Sequence, residues 1–280
     1  MNLILQGLNP DSDTLNRVAA LTHAANIVPL NDHAVRCEGF SYTGELRALV
    51  EAEAYAAQLD ATFIAGGRSL ADFKLVAMDM DSTLITIECI DEIADMQGLK
   101  PQVAEITEAA MRGEIEFRES LIRRVALLKG LDASALQKVY DERLQLSLGA
   151  QKMLNAIQLA GLKTLLVSGG FTYFTDRMKT RLGLDYTHSN VLEIEHGKLT
   201  GKVIGGIVDA EEKQRTVERV CIEMGIEPTQ AIVMGDGAND LKMMHIAGMS
   251  VAFRAKPVVR AQASVALNFV GLDGILNLFA

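Results

Sequence analysis

Four carboxylates stand in two short clusters. Asp79 and Asp81 are separated by one residue in Asp79-Met80-Asp81-Ser82-Thr83, and Asp236 and Asp240 lie in Gly235-Asp236-Gly237-Ala238-Asn239-Asp240. Brought together they would repel one another, which argues for a cation between them. Hard oxygen donors with positions left for water suit magnesium, and such an ion draws in a phosphate and screens it from an attacking carboxylate. A third cluster, Ser168-Gly169-Gly170, offers a hydroxyl and main-chain amides at an expected helix entry, where phosphate oxygens can be held. Lys213, 23 residues before Asp236, supplies positive charge for a developing phosphoryl group. Singly, each feature has an ordinary explanation: an acidic pair that caps a turn, a flexible glycine pair, a solvated lysine. Their order, and the position of each acidic or glycine cluster after an apolar run, set the combination apart.

Those apolar runs cover residues 73–78, 164–167 and 231–234, with a weaker one at 250–253. Each is short and continuous, as in a strand buried on both faces. Helical patterns at about 150–160, 171–182 and 212–224 separate them. This alternation predicts an α/β fold built on a doubly wound parallel sheet. Ligands of such sheets bind beyond the carboxyl ends of the strands, so the three clusters should converge on one edge. Residues 87–148 break the rhythm with an almost wholly helical pattern, read as an inserted cap spanning about 86–149. Residues 191–203 alternate around His196-Gly197 and predict a hairpin. The first 70 residues predict a small α+β module, separate from a phosphate-handling domain over 71–280. In it, strands at 2–6, 34–40 and 61–64 alternate with helices at about 13–25 and 44–59, and Gly66-Gly67 marks the boundary.

Bulk properties narrow the classes. The chain has 280 residues, 49% of them hydrophobic, enough for two cores. A net charge of -9 argues against a nucleic-acid surface. No apolar run is long enough to cross a bilayer, and the opening MNLILQGLNPDSD carries no expected signal peptide. Cys37, Cys89 and Cys221 are scattered, with neither metal-binding spacing nor a disulfide framework, which leads to the expectation of a reducing cytoplasm.

The set DMDST, SGG, Lys213 and GDGAND resembles the four motifs of the haloacid dehalogenase superfamily of phosphohydrolases. The fuller stretches DMDSTLITIECIDEIA, SGGF and GDGANDLKMM resemble its members that hydrolyse phosphoserine. The resemblance runs from residue 73 to the C-terminus, about three quarters of the chain. It implies a Rossmannoid core, with Asp79 as nucleophile and Asp81 as the acid that protonates the leaving oxygen and then activates water. It further implies magnesium held by Asp79, the main-chain carbonyl of Asp81, and Asp236, with Asp240 behind them. Ser168, Gly169, Lys213 and Asn239 would meet the phosphoryl group. In the cap, Glu88 would take the substrate ammonium and Arg124 its carboxylate, under an apolar shield of Met111 and Phe117. A forked donor for a carboxylate and an acceptor for an ammonium make physical sense.

The N-terminal module is similar to the amino-acid-binding ACT domains that accompany such enzymes, but one strand short. Packing or homodimerisation is an equal expectation for it. Two other readings stay open. One is a phosphotransferase of the same superfamily, or a phosphatase for another small phosphomonoester. The other is a signalling receiver domain, against which the helical insert and GDGAND both count.

Overall fold

The computed structural model describes residues 1–111 and 114–279. The chain begins with β1 (Asn2–Gln6), α1 (Ser12–Ala20), β2 (Asn26–Asn31), β3 (Ala34–Glu38), α2 (Gly44–Ala56) and β4 (Asp60–Ile64). Its four strands form an antiparallel sheet in the order β2-β3-β1-β4, a split βαβ arrangement. The strand that the sequence reading lacked is β2. It was hidden because Pro29 lies inside it and most of its residues are exposed. Both features fit an edge strand, where a missing N–H costs nothing in the ladder.

The larger unit opens with β5 (Leu75–Met78) and then the cap helices α3 (Cys89–Asp95), α4 (Lys100–Met111), α5 (Phe117–Leu127) and α6 (Ser134–Glu142). After the cap come α7 (Ala150–Leu159), β6 (Lys163–Phe171), α8 (Thr172–Leu182), β7 (Tyr186–Glu195), β8 (Lys198–Ile204) and α9 (Ala210–Met224). The chain ends through β9 (Ala231–Gly235), α10 (Leu241–His245), β10 (Met249–Phe253), α11 (Pro257–Arg260) and β11 (Val265–Leu267), closed by a 3₁₀ segment at Leu272–Leu278. The sheet order is β11-β10-β9-β5-β6-β7-β8. Every pair is parallel except β7 with β8. Central β5 is buried at each position, as its unbroken apolar run requires. The chain leaves β5 towards β6 on one side and returns to β9 on the other. The crevice at this reversal opens at the carboxyl end of β5.

The expected hairpin is β7–β8, turning at His196 and Gly197 with φ of 50° and 76°, the left-handed pair that a two-residue turn needs. One expectation is corrected. Ser168-Gly169-Gly170 is not a helix entry, because β6 runs on to Phe171 and α8 starts only at Thr172. The two glycines have no side chain to bury, so the apolar run ends at Val167 while the extended backbone continues.

The cap is joined to the core by two adjacent linkers. Ser147 N–H donates to Leu84 O (3.0 Å) and Thr86 N–H to Gln145 O (3.0 Å). On its far side the cap leans on the hairpin, where Leu199 exchanges main-chain bonds with Gly130 and Leu131 (both 2.8 Å). The N-terminal sheet docks on the C-terminal segment. Ile4 and Ile64 share the main core with Leu272, Ile275 and Leu278. Asp60, 2% exposed, accepts N–H bonds from Asn268, Phe269 and Val270 and from Asn268 Nδ2, at 2.8–3.1 Å.

Candidate active site

The carboxyl end of β5 delivers Asp79, 5% exposed, to the crevice. Its Oδ1 accepts from Met80 N–H (2.8 Å) and meets Lys213 Nζ (2.8 Å). Lys213, fully buried on the first turns of α9, also reaches Asp240 Oδ1 (2.7 Å). A buried ammonium is tolerable only when paired, and here two carboxylates keep it charged: together they push its pKa up although burial opposes them. The same charge holds Asp79 down, but burial and the nearby Asp240 and Asp236 outweigh it, so the Asp79 carboxyl lies well above its usual range.

Asp240 anchors the loop after β9. Its Oδ2 accepts from the amides of Asp236 (3.1 Å) and Gly237 (3.0 Å), while Oδ1 holds Lys213. Asp236 is left with Thr83 Oγ1 (3.2 Å) as donor to its Oδ1. Burial, then repulsion from Asp240, raises Asp236 to about 6. Carboxylate oxygens of Asp79, Asp236 and Asp240 lie within 4.8 Å of one another. Buried, mutually repelling hard oxygen donors are a setting that a divalent cation would relieve. Because Asp240 commits both oxygens to protein donors, Asp79 and Asp236 are the side chains free to turn to such an ion. Asn239 lies in the same loop, in the 3₁₀ turn Ala238–Asp240, partly buried.

Asp81 stands apart from that acidic group. The chain between it and the cap makes a tight turn in which Ser82 takes φ 56°, a left-handed conformation held against its cost. Ser82 N–H donates to Ile87 O (3.2 Å) and Ser82 Oγ to Glu88 Oε1 (2.7 Å). Asp81 Oδ1 accepts from Cys89 N–H (3.2 Å). Burial and the charge of Glu88 push Asp81 up to about 7. Gly170 leaves room for these side chains, since a Cβ there would come within 2.7 Å of Asp81 Oδ2 and 3.0 Å of Ser168 Oγ and displace them. Ser168 is fully buried, and its Oγ accepts from Gly170 N–H (2.8 Å). Asn190 Nδ2 ties Gly169 O (2.7 Å), which steadies the strand extension.

The cap supplies the roof. Phe117 opens α5 and lies over Gly169, its Cζ 3.0 Å from where a Cβ would be. Beside it Arg118 pairs with Asp209 (3.0 Å), the residue whose carboxylate caps α9 by accepting from Glu212 N–H. Glu88 precedes α3. It is exposed along one edge, yet the protein enclosing it raises its carboxyl. Arg124, half-buried on α5, donates Nε to Ser120 O (3.4 Å) and feels the charges of Asp91, Glu88 and Asp81. Burial draws its pKa below the usual value. The side chain of Met111 lies outside the described residues.

The fold thus brings Asp79, Asp81, Ser168, Gly169, Lys213, Asp236 and Asp240 to one crevice. Sequence reasoning left Thr83 and Ser82 without a role, although both stand in the quoted motif. Nothing in the spacing reveals that Thr83 bonds an acid 153 residues away. Asp209 and Arg118 were missed altogether, as ordinary charges on separate elements.

These geometries agree with comparisons to known proteins. The haloacid dehalogenase-like hydrolase family model matches residues 73–248. A phosphoserine phosphatase from Polaromonas sp. (strain JS666 / ATCC BAA-500) is 59% identical over 214 residues, 75% of this chain and 91% of that protein. The crystal structure of a HAD family hydrolase from Salmonella enterica serovar Typhi superposes with a TM-score of 0.90 at 32% identity, covering 100% of this chain and 99% of that one. A substrate-bound phosphoserine phosphatase complex superposes with a TM-score of 0.70 at 36% identity, over 74% of this chain and 99% of that one. With a family match over more than half its length and a crevice assembled from the same motifs, the chain belongs to the haloacid dehalogenase-like hydrolases.

Proposed function

We propose that this protein hydrolyses O-phospho-L-serine to serine and phosphate through a covalent intermediate on Asp79. The observation that carries the reading is the division of the crevice. A buried Asp79–Lys213 pair lies on the floor, Asp81 stands at the edge with Oδ1 held by Cys89 N–H, and the cap contributes Glu88, held by Ser82 Oγ, and Arg124 on α5. The similarity to a phosphoserine phosphatase over 75% of the chain supports the same substrate.

Asp79 attacks the phosphorus through its oxygen not engaged by Lys213, and the bond to the serine oxygen breaks. A serine alkoxide leaves poorly, so Asp81, protonated, gives it a proton. A carboxyl near 7 is suited to this at neutral pH, because it can be acid in one step and base in the next. In the second step Asp81 takes a proton from water, the water oxygen bonds to phosphorus, and the bond to Asp79 breaks. Asp79 is thereby regenerated and phosphate is released. Lys213 neutralises charge on Asp79 and on the phosphoryl oxygens near it. Ser168 Oγ and the amide of Gly169 offer donors to those oxygens, and Asn239 lies within the same loop set. Asp79, the carbonyl of Asp81, and Asp236 would hold a magnesium ion, which when bound screens the phosphoryl charge from the attacking carboxylate. Glu88 takes the substrate ammonium and Arg124 its carboxylate, while Phe117 excludes water above Gly169. Pairing α-ammonium and α-carboxylate recognition is what separates an amino-acid phosphoester from other phosphomonoesters.

The test is phosphate release from phosphoserine, phosphothreonine, phosphotyrosine and sugar phosphates, with magnesium and with chelator, and with an added alcohol acceptor. Fast, magnesium-dependent release from phosphoserine alone is expected, with no transfer to the acceptor. Equal rates on sugar phosphates would overturn the substrate, and a phosphorylated acceptor would overturn hydrolysis in favour of phosphotransfer.

A further inference from the structure

The roof contains an acid that this mechanism leaves unused. Asp91 lies in the first turn of α3, its N–H bonded to Glu88 O (3.1 Å). Glu88 stands three residues back, at the extended position just before the helix. Asp91 Oδ1 is buried and accepts no hydrogen bond among the described residues. A buried acceptor without a donor is costly, so this oxygen gains from any donor brought to it. Facing α3 is α5, which carries Arg124. Burial raises the Asp91 carboxyl while the Arg124 charge opposes it, and burial draws Arg124 down while the charges of Asp91, Glu88 and Asp81 hold it up. Yet the two form no direct ion pair among the described residues. Among the described residues Arg124 uses only Nε, on a long bond to Ser120 O. Of its five donors, a substrate carboxylate would take two, which leaves N–H groups for a second acceptor.

Resting on the phosphoserine reading, we propose that Asp91 is the positioning residue for Arg124: its free oxygen takes a guanidinium N–H as the substrate carboxylate binds and turns the donor fork to the substrate. Asp91 then touches no substrate atom and sets specificity through its neighbour. A substrate ammonium is the competing donor for the same oxygen, and the two roles fall on different substrates.

The experiment compares kcat/KM for phosphoserine, for phosphoethanolamine (no carboxylate) and for 3-phosphoglycerate (a hydroxyl in place of the ammonium). Asp91→Ala should lower the two carboxylate substrates about tenfold and leave phosphoethanolamine within about twofold. Asp91→Asn, which keeps an acceptor oxygen, should restore most of the loss. Adding Asp91→Ala to Arg124→Ala should cost nothing further, because the residue acts only through Arg124. An equal loss on phosphoethanolamine would overturn the proposal, making Asp91 an ammonium contact or a plain structural residue; so would an additive loss in the double variant. A wild-type enzyme that does not prefer phosphoserine to phosphoethanolamine would instead remove the phosphoserine reading itself. An Arg124→Ala effect without an Asp91→Ala effect would overturn the inference about Asp91 alone.

Discussion

On the floor of the cleft the charged groups already have their protein partners. Lys213 bridges Asp79 and Asp240, and Asp240 gives its other oxygen to the amides of Asp236 and Gly237. In the roof, among the described residues, Arg124 makes one long main-chain contact, and Asp91 Oδ1 and Ser120 Oγ are buried without partners. The difference follows from what each surface must do. Groups that stabilise charge developing on a phosphoryl work best when fixed beforehand, since they then lose nothing by reorganising. Groups that recognise a substrate must take new partners each turnover. The roof is joined by two short linkers and a hairpin contact, while the floor is set on the central strand.

Breaking the floor should cost most. Asp79→Asn keeps the shape of the side chain but removes the attacking charge, so phosphate release should fall to background while circular dichroism shows the fold retained. A folded variant with near-normal turnover would end the covalent mechanism. Asp81→Asn sits at the junction and should slow phosphoserine hydrolysis roughly 10²- to 10⁴-fold, the worth of a positioned proton donor. Nitrophenyl phosphate, whose leaving group needs no proton, should lose much less in a pre-steady-state burst. Equal burst losses on both would show that Asp81 is not the acid.

The roof is expected to matter only for substrates that use it. Arg124→Ala should lower kcat/KM for phosphoserine about 30-fold or more, from the roughly 2–5 kcal/mol lost when a buried charge loses its partner. Phosphoethanolamine should hardly change, and equal losses on the two would place Arg124 with the phosphoryl machinery instead. Part of the loss should appear in kcat, since binding energy from groups remote from the breaking bond can be spent at the reacting centre.

The smallest effect on activity should come from a residue far from both surfaces. Asp60→Ala leaves three main-chain N–H groups and Asn268 Nδ2 without their acceptor. At about 1–3 kcal/mol for each buried group left unpaired, a destabilisation of about 3 kcal/mol is expected after relaxation. It should be seen as a lower denaturation midpoint at unchanged KM. An unchanged midpoint would show that the contact between the N-terminal sheet and residues 268–270 contributes little to stability.

The doubly wound core was legible in the chain because strands buried on both faces are written as unbroken apolar runs, and the residues that follow them must lie at their carboxyl ends. That local rule placed Asp79, Ser168 and Asp236 on one edge before any coordinates. It failed where apolarity and structure part company. Pro29 hides an edge strand, and Gly169-Gly170 continue β6 with no side chain to signal it. Residue chemistry alone did not separate the four aspartates, and their expected roles came from the resemblance of the motifs, because four carboxylates are alike until their neighbours differ. Only the tertiary structure decided that Asp240 is committed to Lys213 and two amides, that Asp81 is raised to about 7 by burial and Glu88, and that Asp91 Oδ1 is buried with no donor among the described residues. Those are consequences of burial and of how the loops fold on themselves and on distant elements such as α9, and neither is carried by residue type or spacing.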